Sequence, residues 1–403
     1  MQVAHSVATE AYPFEINRIG DVAGAEIIGL DLSEPIDTAT RDAIIRAFLE
    51  HHVLVFRNQY LSKAIAEIEN TESAVVTSSG MAAISSVILQ LCSSGDNIIS
   101  SNTVYGGTYA LFRNLLPRFQ IKTSFISMSD FKSIEKAINS KTKLIYCESM
   151  SNPLLGVSDI KKLSKIAKKR KIKLVVDNTF CPLIFTPKDY GADVVIHSIT
   201  KFINGSSDAI GGVVCSDRSF IQELIDVNFG VSMLLGPTMD SVRSSNVLKN
   251  LRTLHIRIKQ HSKNAMFLAE KFHSMRGLSV CYPGLITHSD HFLMKSVMNN
   301  DFGFGGLLTI DVGDREKANR FMEAMQDRNI GYLAVSLGFY KTLFTAPGSS
   351  TSSEISEDIP FLKLFIPFAT SPIKLDILPL PKSKTTNITT IAICQNPILM
   401  NYL

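Results

Sequence analysis

Three short segments place chemically capable side chains at the ends of apolar runs. Val194-Val195-Ile196-His197-Ser198-Ile199-Thr200-Lys201 has the pattern of a buried strand that ends in two hydroxyls and an amine. Leu174-Val175-Val176-Asp177-Asn178-Thr179 has the same pattern, with a carboxylate at its carboxyl end. Val75-Val76-Thr77-Ser78-Ser79-Gly80-Met81 reads as a strand, a turn of small residues and a helix start, whose unpaired N–H groups and dipole suit a phosphate. Each has a plainer reading when taken alone. A lysine at a strand end is commonly a surface residue, an aspartate there commonly caps a turn, and many strand-to-helix turns are built from small residues. Together they offer an amine, an acid and an anion cradle.

Such residues need elements to bring them together. Between about Ser73 and Gly212 short apolar runs alternate with amphipathic stretches. Strands are expected at Ala74–Val76, Asn97–Ser100, Lys143–Cys147, Leu174–Asp177 and Val194–His197, and helices over Met81–Cys92 and Thr108–Leu116. Ile160, Leu163, Ile166 and Ala167 form a further apolar stripe at helical spacing. This alternation predicts an α/β fold around a largely parallel sheet, in which ligands bind beyond the carboxyl ends of the strands. Long helical segments follow from Ser241 to Phe272, then a strand at Leu307–Val312 and a helix over Arg315–Arg328, a second and smaller α/β unit.

Composition excludes other classes. Of 403 residues 45% are hydrophobic, and the net charge of +4 is neither that of a disordered chain nor an electrostatic footprint for nucleic acid. Lys161–Lys173 concentrates basic residues without interleaved aromatics, the pattern of the wet face of a helix. No apolar run is long enough for a membrane span, and Met1–Gly20 lacks a basic stretch before an apolar core, so the expected location is the cytoplasm. The six scattered cysteines form no C-x-x-C pair, and no metal site is expected.

An amine, an acid and an anion cradle are what pyridoxal phosphate requires of a protein. From about Lys63 to Ile355 the chain resembles the Cys/Met-metabolism family of pyridoxal-phosphate enzymes, which includes cystathionine γ-lyase and methionine γ-lyase. The resemblance rests on Ser79-Gly80-Met81, Val104-Tyr105-Gly106-Gly107-Thr108, Glu148-Ser149 with Asn152-Pro153, Val176-Asp177-Asn178-Thr179 and Ser198-Ile199-Thr200-Lys201. Downstream it continues in Leu251-Arg252-Thr253-Leu254, Tyr282-Pro283-Gly284-Leu285, Gly303-Phe304-Gly305-Gly306 and Ala334-Val335-Ser336-Leu337-Gly338.

It implies the fold-type-I architecture, with a cofactor-binding large domain over 63–245 and a smaller C-terminal α/β domain over 246–358. Lys201 would carry the cofactor as a Schiff base and move protons, its pKa lowered by burial and cationic surroundings. Asp177 would pair with the pyridine nitrogen, and Tyr105 would stack on the ring and assist proton transfer. Ser79, Gly80, Met81, Ser198 and Thr200 would cradle the phosphate, Asn152 would lie by the ring hydroxyl, and Thr179 would pack against the ring. Ser336 would sit near the substrate carboxylate. The implied reaction is γ-elimination from methionine or cystathionine by a homodimer or homotetramer. Gly107 stands where methionine γ-lyases usually carry cysteine. That leaves a transsulfuration enzyme or an O-acylhomoserine sulfhydrylase as the alternative, and an inactive chain of the same fold as another.

Both ends depart from this family. Residues 1–62, through Phe14-Glu15-Ile16, Leu30-Asp31-Leu32 and His52-Val53-Leu54-Val55-Phe56-Arg57, resemble the amino-terminal part of taurine-type 2-oxoglutarate dioxygenases, yet contain no His-x-Asp iron pair. His51 and His52 fall at an expected strand start, where adjacent side chains cannot share a site. Relatives carry a Tyr-x-Arg that reaches a partner's phosphate; none precedes Tyr105 here, and Arg57 is the nearest substitute in sequence. Arg328 is the last arginine, so the family's carboxylate-clamping arginine after Ile355 is missing. Residues 359–403 hold no glycine and six prolines and read as an atypical tail.

Overall fold

The structure is a computed structural model that describes residues 12–20, 22–30, 37–56, 61–152, 154–334, 336–345 and 362–365. Arg57, Pro153, Val335 and the tail beyond Phe365 lie outside the described residues. The chain divides into two compact units, Met1–Leu61 and Ser62–Leu403.

In the first unit, β1 (Glu15–Arg18) pairs antiparallel with β2 (Ala25–Ile28), which pairs parallel with β3 (Leu54–Phe56). Between them α1 (Thr38–His51) starts at Asp37, whose carboxylate accepts from Thr40 N–H at 2.7 Å. Phe14, Ile27, Ala43 and Ala47 form its small core. His51 is the last residue of this helix and buried, and His52 caps it at φ 62°, so neither starts a strand. The apolar run expected to begin there begins at Leu54, after a left-handed turn has ended the helix.

The second unit opens with α2 (Leu61–Ile68), β4 (Ser73–Thr77), α3 (Gly80–Leu91), β5 (Asn97–Ser101), α4 (Gly106–Ala110), β6 (Lys122–Ile126), α5 (Phe131–Ala137) and β7 (Thr142–Glu148). It continues through α6 (Ile160–Arg170), β8 (Lys173–Asp177), β9 (Val194–Ser198) and β10 (Gly212–Ser216). Their seven-stranded sheet has the order β4-β10-β9-β8-β7-β5-β6. Every pairing is parallel except those of β10. The inner strands are near-continuous apolar runs because helices cover both faces of such a sheet. Leu174, Val175, Val176, Val195 and Ile196 are fully buried as a result. α6 shows the amphipathic logic most plainly: Ile160, Leu163, Ile166 and Ala167 face inward while its lysines face water. Asp159 caps its start, and the basic cluster is the wet face of this helix.

The helix expected over Thr108–Leu116 starts earlier, at Gly106, and keeps α geometry only to Ala110. It then widens through Leu111–Leu115 and tightens over Leu116–Phe119, where Pro117 cannot donate the next backbone bond.

Beyond the sheet come α7 (Arg218–Leu224), α8 (Val231–Leu235), α9 (Ser241–Leu251) and α10 (Leu254–His273), followed by β11 (Ser279–Cys281), α11 (His291–Val297), β12 (Leu307–Asp311) and α12 (Arg315–Asp327). β13 (Tyr332–Leu333), β14 (Leu343–Thr345) and β15 (Leu362–Phe365) complete a second sheet of order β11-β12-β15-β14-β13. Its core gathers Leu268, Phe272, Tyr282, Leu308, Ile310 and Phe344. β15, from within the residues read as an atypical tail, lies inside this sheet, antiparallel to both β12 and β14. Glycine-free, apolar sequence suits an inner strand. Among the described residues no helix is long and apolar enough to cross a membrane.

Leu144 on β7 is fully buried in the main core. Leu144→Ala is expected to cost about 2–5 kcal/mol, read as a shift in the denaturant midpoint with the slope unchanged.

Candidate active site

Parallel strands that run the same way end on the same edge, so β7, β8 and β9 deliver Glu148, Asp177 and Ser198 side by side. Asp177 is buried. Its Oδ1 accepts from Thr179 N–H at 2.9 Å and from the Thr179 hydroxyl at 2.5 Å, and its Oδ2 accepts from Tyr146 OH at 3.4 Å. The Thr179 hydroxyl in turn accepts from Ser198 N–H at 2.8 Å. Thr179 is thus a bridge between the ends of β8 and β9. Burial raises the Asp177 pKa, opposed by the Thr179 bonds and by the nearby His197.

α3 brings its first turn to the same edge. Ser79 is its N-cap, accepting from Ala82 N–H at 3.1 Å. The amides of Gly80 and Met81 precede the first intrahelical bond and donate to no group among the described residues. A Cβ on Gly80 would stand 2.8 Å from Ser198 Cβ, so only glycine lets the helix start close onto β9. Thr200 is less available: its hydroxyl accepts from Gly211 N–H at 3.1 Å and donates to Gly211 C=O at 3.3 Å.

Lys201 lies in the turn after β9, and its Nζ donates to Ser336 Oγ at 3.2 Å. Burial lowers the Lys201 pKa; no cationic neighbour contributes, contrary to the expectation from sequence. The loop that carries Ser336 can come this close because Gly338 has φ +77° and packs on the Lys201–Phe202 backbone, where a Cβ would stand 2.4 Å from Phe202 N. Tyr105 is the N-cap of α4, its N–H donating to Glu148 Oε1 at 2.6 Å, and its ring is about half exposed. Tyr105 Cε1 and Met81 Sδ both lie within 3.0 Å of where a Cβ on Gly107 would be, which sets the ring beside the start of α3. Asn152 is buried just past the bridge between Met150 and Val157.

Several supporting residues carried no sequence signal of their own. Tyr146 reaches Asp177 from the middle of β7, where it reads as one more core aromatic. Arg257 on α10 donates to the carbonyls of Phe202, Ile203 and Asn250, pinning the turn behind Lys201. Its sequence gives no hint of burial, which lowers its pKa to about 10. Cys147 and Cys181 are close in sequence to the site, but burial pushes both thiols up to about 12, away from the thiolate form.

These features fit pyridoxal phosphate. A buried carboxyl with no ion pair among the described residues suits a protonated ring nitrogen, and a closed glycine turn with free amides suits a phosphate. A desolvated amine with a lowered pKa suits Schiff-base chemistry. The family model for Cys/Met metabolism PLP-dependent enzymes matches residues 56–359, and the chain belongs to that family. It is 46% identical over 298 residues to a methionine gamma-lyase of Arabidopsis thaliana, covering 73% of this chain and 67% of that protein. It is 38% identical over 297 residues to an O-succinylhomoserine sulfhydrylase of Pseudomonas aeruginosa, covering 73% and 71%.

Among solved structures, an O-acetylhomoserine (thiol)-lyase from Campylobacter jejuni that carries an N′-pyridoxyl-lysine-5′-monophosphate superposes with a TM-score of 0.72 at 30% identity, over 77% of this chain and 82% of that one. A cystathionine gamma-lyase from Lactobacillus plantarum complexed with L-serine superposes with a TM-score of 0.71 at 29% identity, over 78% and 82%. The cofactor of this chain is pyridoxal 5′-phosphate, and its fold is fold type I.

Because its native pKa is raised, Asp177 contributes stability below its unfolded value near 3.8 and loses that contribution as pH rises through the native value. Asp177→Asn has no such loss. In cofactor-free protein its melting temperature is expected to exceed that of the wild type at pH 8, with the gap closing toward pH 4, while its cofactor affinity falls.

Proposed function

We propose that this chain is a pyridoxal-phosphate-dependent carbon–sulfur lyase that acts on sulfur amino acids by γ-elimination, with methionine as substrate and Lys201 as the cofactor lysine. The single observation that carries the residue assignment is the buried Lys201 amine, lowered in pKa and held by Ser336 at the strand edge that also carries Asp177. The 46% identity to a methionine gamma-lyase supports the choice of substrate.

When bound, pyridoxal phosphate supplies an electron sink that acidifies the α-proton of an amino acid. Asp177 keeps the ring nitrogen protonated, and the amides of Gly80 and Met81 with Ser79 and Ser198 hold the phosphate at the start of α3. Thr200 joins them only by giving up the Gly211 carbonyl. The Tyr105 ring would cover the cofactor, Thr179 would pack against it, and Asn152 would lie by the ring hydroxyl. With the cofactor bound, Lys201 would take the proton from the substrate Cα and deliver protons afterwards. Ser336 orients the Lys201 amine and the substrate carboxylate. The net reaction breaks the Cγ–S bond of methionine and consumes one water, giving methanethiol, ammonia and 2-oxobutanoate. The absence of arginine beyond Arg328 leaves the carboxylate without the family's forked clamp, which favours slow turnover with cofactor fully bound.

Gly107 favours a second reading, an O-acylhomoserine sulfhydrylase or transsulfuration enzyme. Domains follow 63–245 for cofactor binding and 246–358 for the C-terminal domain. The first unit is a dioxygenase-like fragment. The chain works in the cytoplasm as a homo-oligomer. Val227, Phe229, Met233, Leu234, Leu235 and Val242 around α8 are more than half exposed, an apolar face of the kind that subunits cover.

Borohydride reduction of the yellow holoprotein followed by peptide mapping is expected to find the pyridoxyl label on Lys201, and none in Lys201→Ala. A label on another lysine overturns the assignment. Release of 2-oxobutanoate from methionine in excess of sulfide-dependent turnover of O-succinylhomoserine supports the lyase over the sulfhydrylase.

Leu234→Asp with Leu235→Asp is expected to lower the mass measured by light scattering; an unchanged mass removes this face as the subunit contact.

A further inference from the structure

Behind the site, on the covered side of the sheet, lies a buried carboxylate that no step above uses. Glu69 follows α2 and is fully buried. Its Oε1 accepts from two side chains, His197 Nε2–H at 2.7 Å and Asn178 Nδ2–H at 2.9 Å. Asn178 also donates to Phe185 C=O at 2.8 Å through Nδ2, and to Ile196 C=O at 2.8 Å through its backbone N–H. Glu69 Oε2, His197 Nδ1 and Asn178 Oδ1 meet no protein partner among the described residues. A buried polar network left partly unsatisfied contributes little to stability, and apolar filling of the same space is often as good or better. Positional precision is the remaining physical reason to bury it.

Sequence adjacency shows what it positions. Asn178 sits between Asp177 and Thr179, and His197 immediately precedes Ser198. Side chains alternate between sheet faces, so residues that reach the site have neighbours that point away from it. Asp177, Thr179 and Ser198 are bonded to one another on the site side. Asn178 and His197 are bonded to a single oxygen on the other. We infer that Glu69 is a positioning residue: one carboxylate oxygen clamps the ends of β8 and β9 from behind and so holds Asp177, Thr179 and Ser198 in register for the cofactor. The inference rests on the assignment of those residues to pyridoxal phosphate.

The test is titration of cofactor-free full-length chain with pyridoxal phosphate, reading both the dissociation constant and the visible circular dichroism of the bound cofactor, which reports its orientation. Glu69→Leu fills much of the same space with an apolar side chain and removes the acceptor. It is expected to weaken binding about tenfold or more and to change the dichroism. Glu69→Gln keeps an oxygen for both donors and is expected to restore the wild-type dichroism, with affinity within about twofold. Should Glu69→Leu fail to fold, Asn178→Ser shortens one arm of the clamp and is expected to give a severalfold loss with altered dichroism. Wild-type affinity and dichroism in Glu69→Leu, or in Asn178→Ser, overturn the inference alone. So does a Glu69→Gln variant as impaired as Glu69→Leu. A wild-type chain that takes up no cofactor overturns the functional assignment and this inference with it.

Discussion

The site depends on a carboxyl group kept where water cannot reach it. Asp177 ends a strand whose last four residues are buried, and burial pushes its pKa upward. An ionised carboxylate there needs compensation, and the protein supplies part of it through Thr179 and Tyr146. A cationic ring nitrogen supplies the rest. The same Thr179 hydroxyl ties the end of β8 to Ser198, which in turn packs against the start of α3. Acid, phosphate cradle and amine are therefore one connected construction rather than three separate sites.

Lys201 follows from the same construction. Its amine is desolvated because the loop bearing Ser336 and Gly338 descends onto the turn after β9, with Arg257 pinning that turn from the other side. Two folding layers thus meet at a single side chain.

Much of this was legible in the sequence because parallel strands announce themselves as unbroken apolar runs. β7, β8 and β9 were each found within a residue of their observed ends, and the polar residues just beyond them had to lie on one edge. Helix α6 was equally plain, since its apolar stripe and its lysines separate cleanly. Other parts left no local trace. Glu69 and Arg257 look like surface charges, and only the tertiary fold buries them. Thr200 looked free to bind an anion, yet the antiparallel approach of β10 gives its hydroxyl to Gly211. The end of α1 was mistaken for a strand because a left-handed residue, not a proline or glycine, stops the helix. β15 was read as part of a tail because residues 359–403 hold six prolines and no glycine and do not alternate cleanly.

A crystal structure of the full-length chain grown with pyridoxal phosphate tests the central claim most directly. The account requires continuous density from Lys201 Nζ to the cofactor, the ring nitrogen within hydrogen-bond distance of Asp177, and the phosphate on the amides of Gly80 and Met81. A phosphate bound away from the start of α3, or a ring nitrogen facing any group other than Asp177, would contradict it.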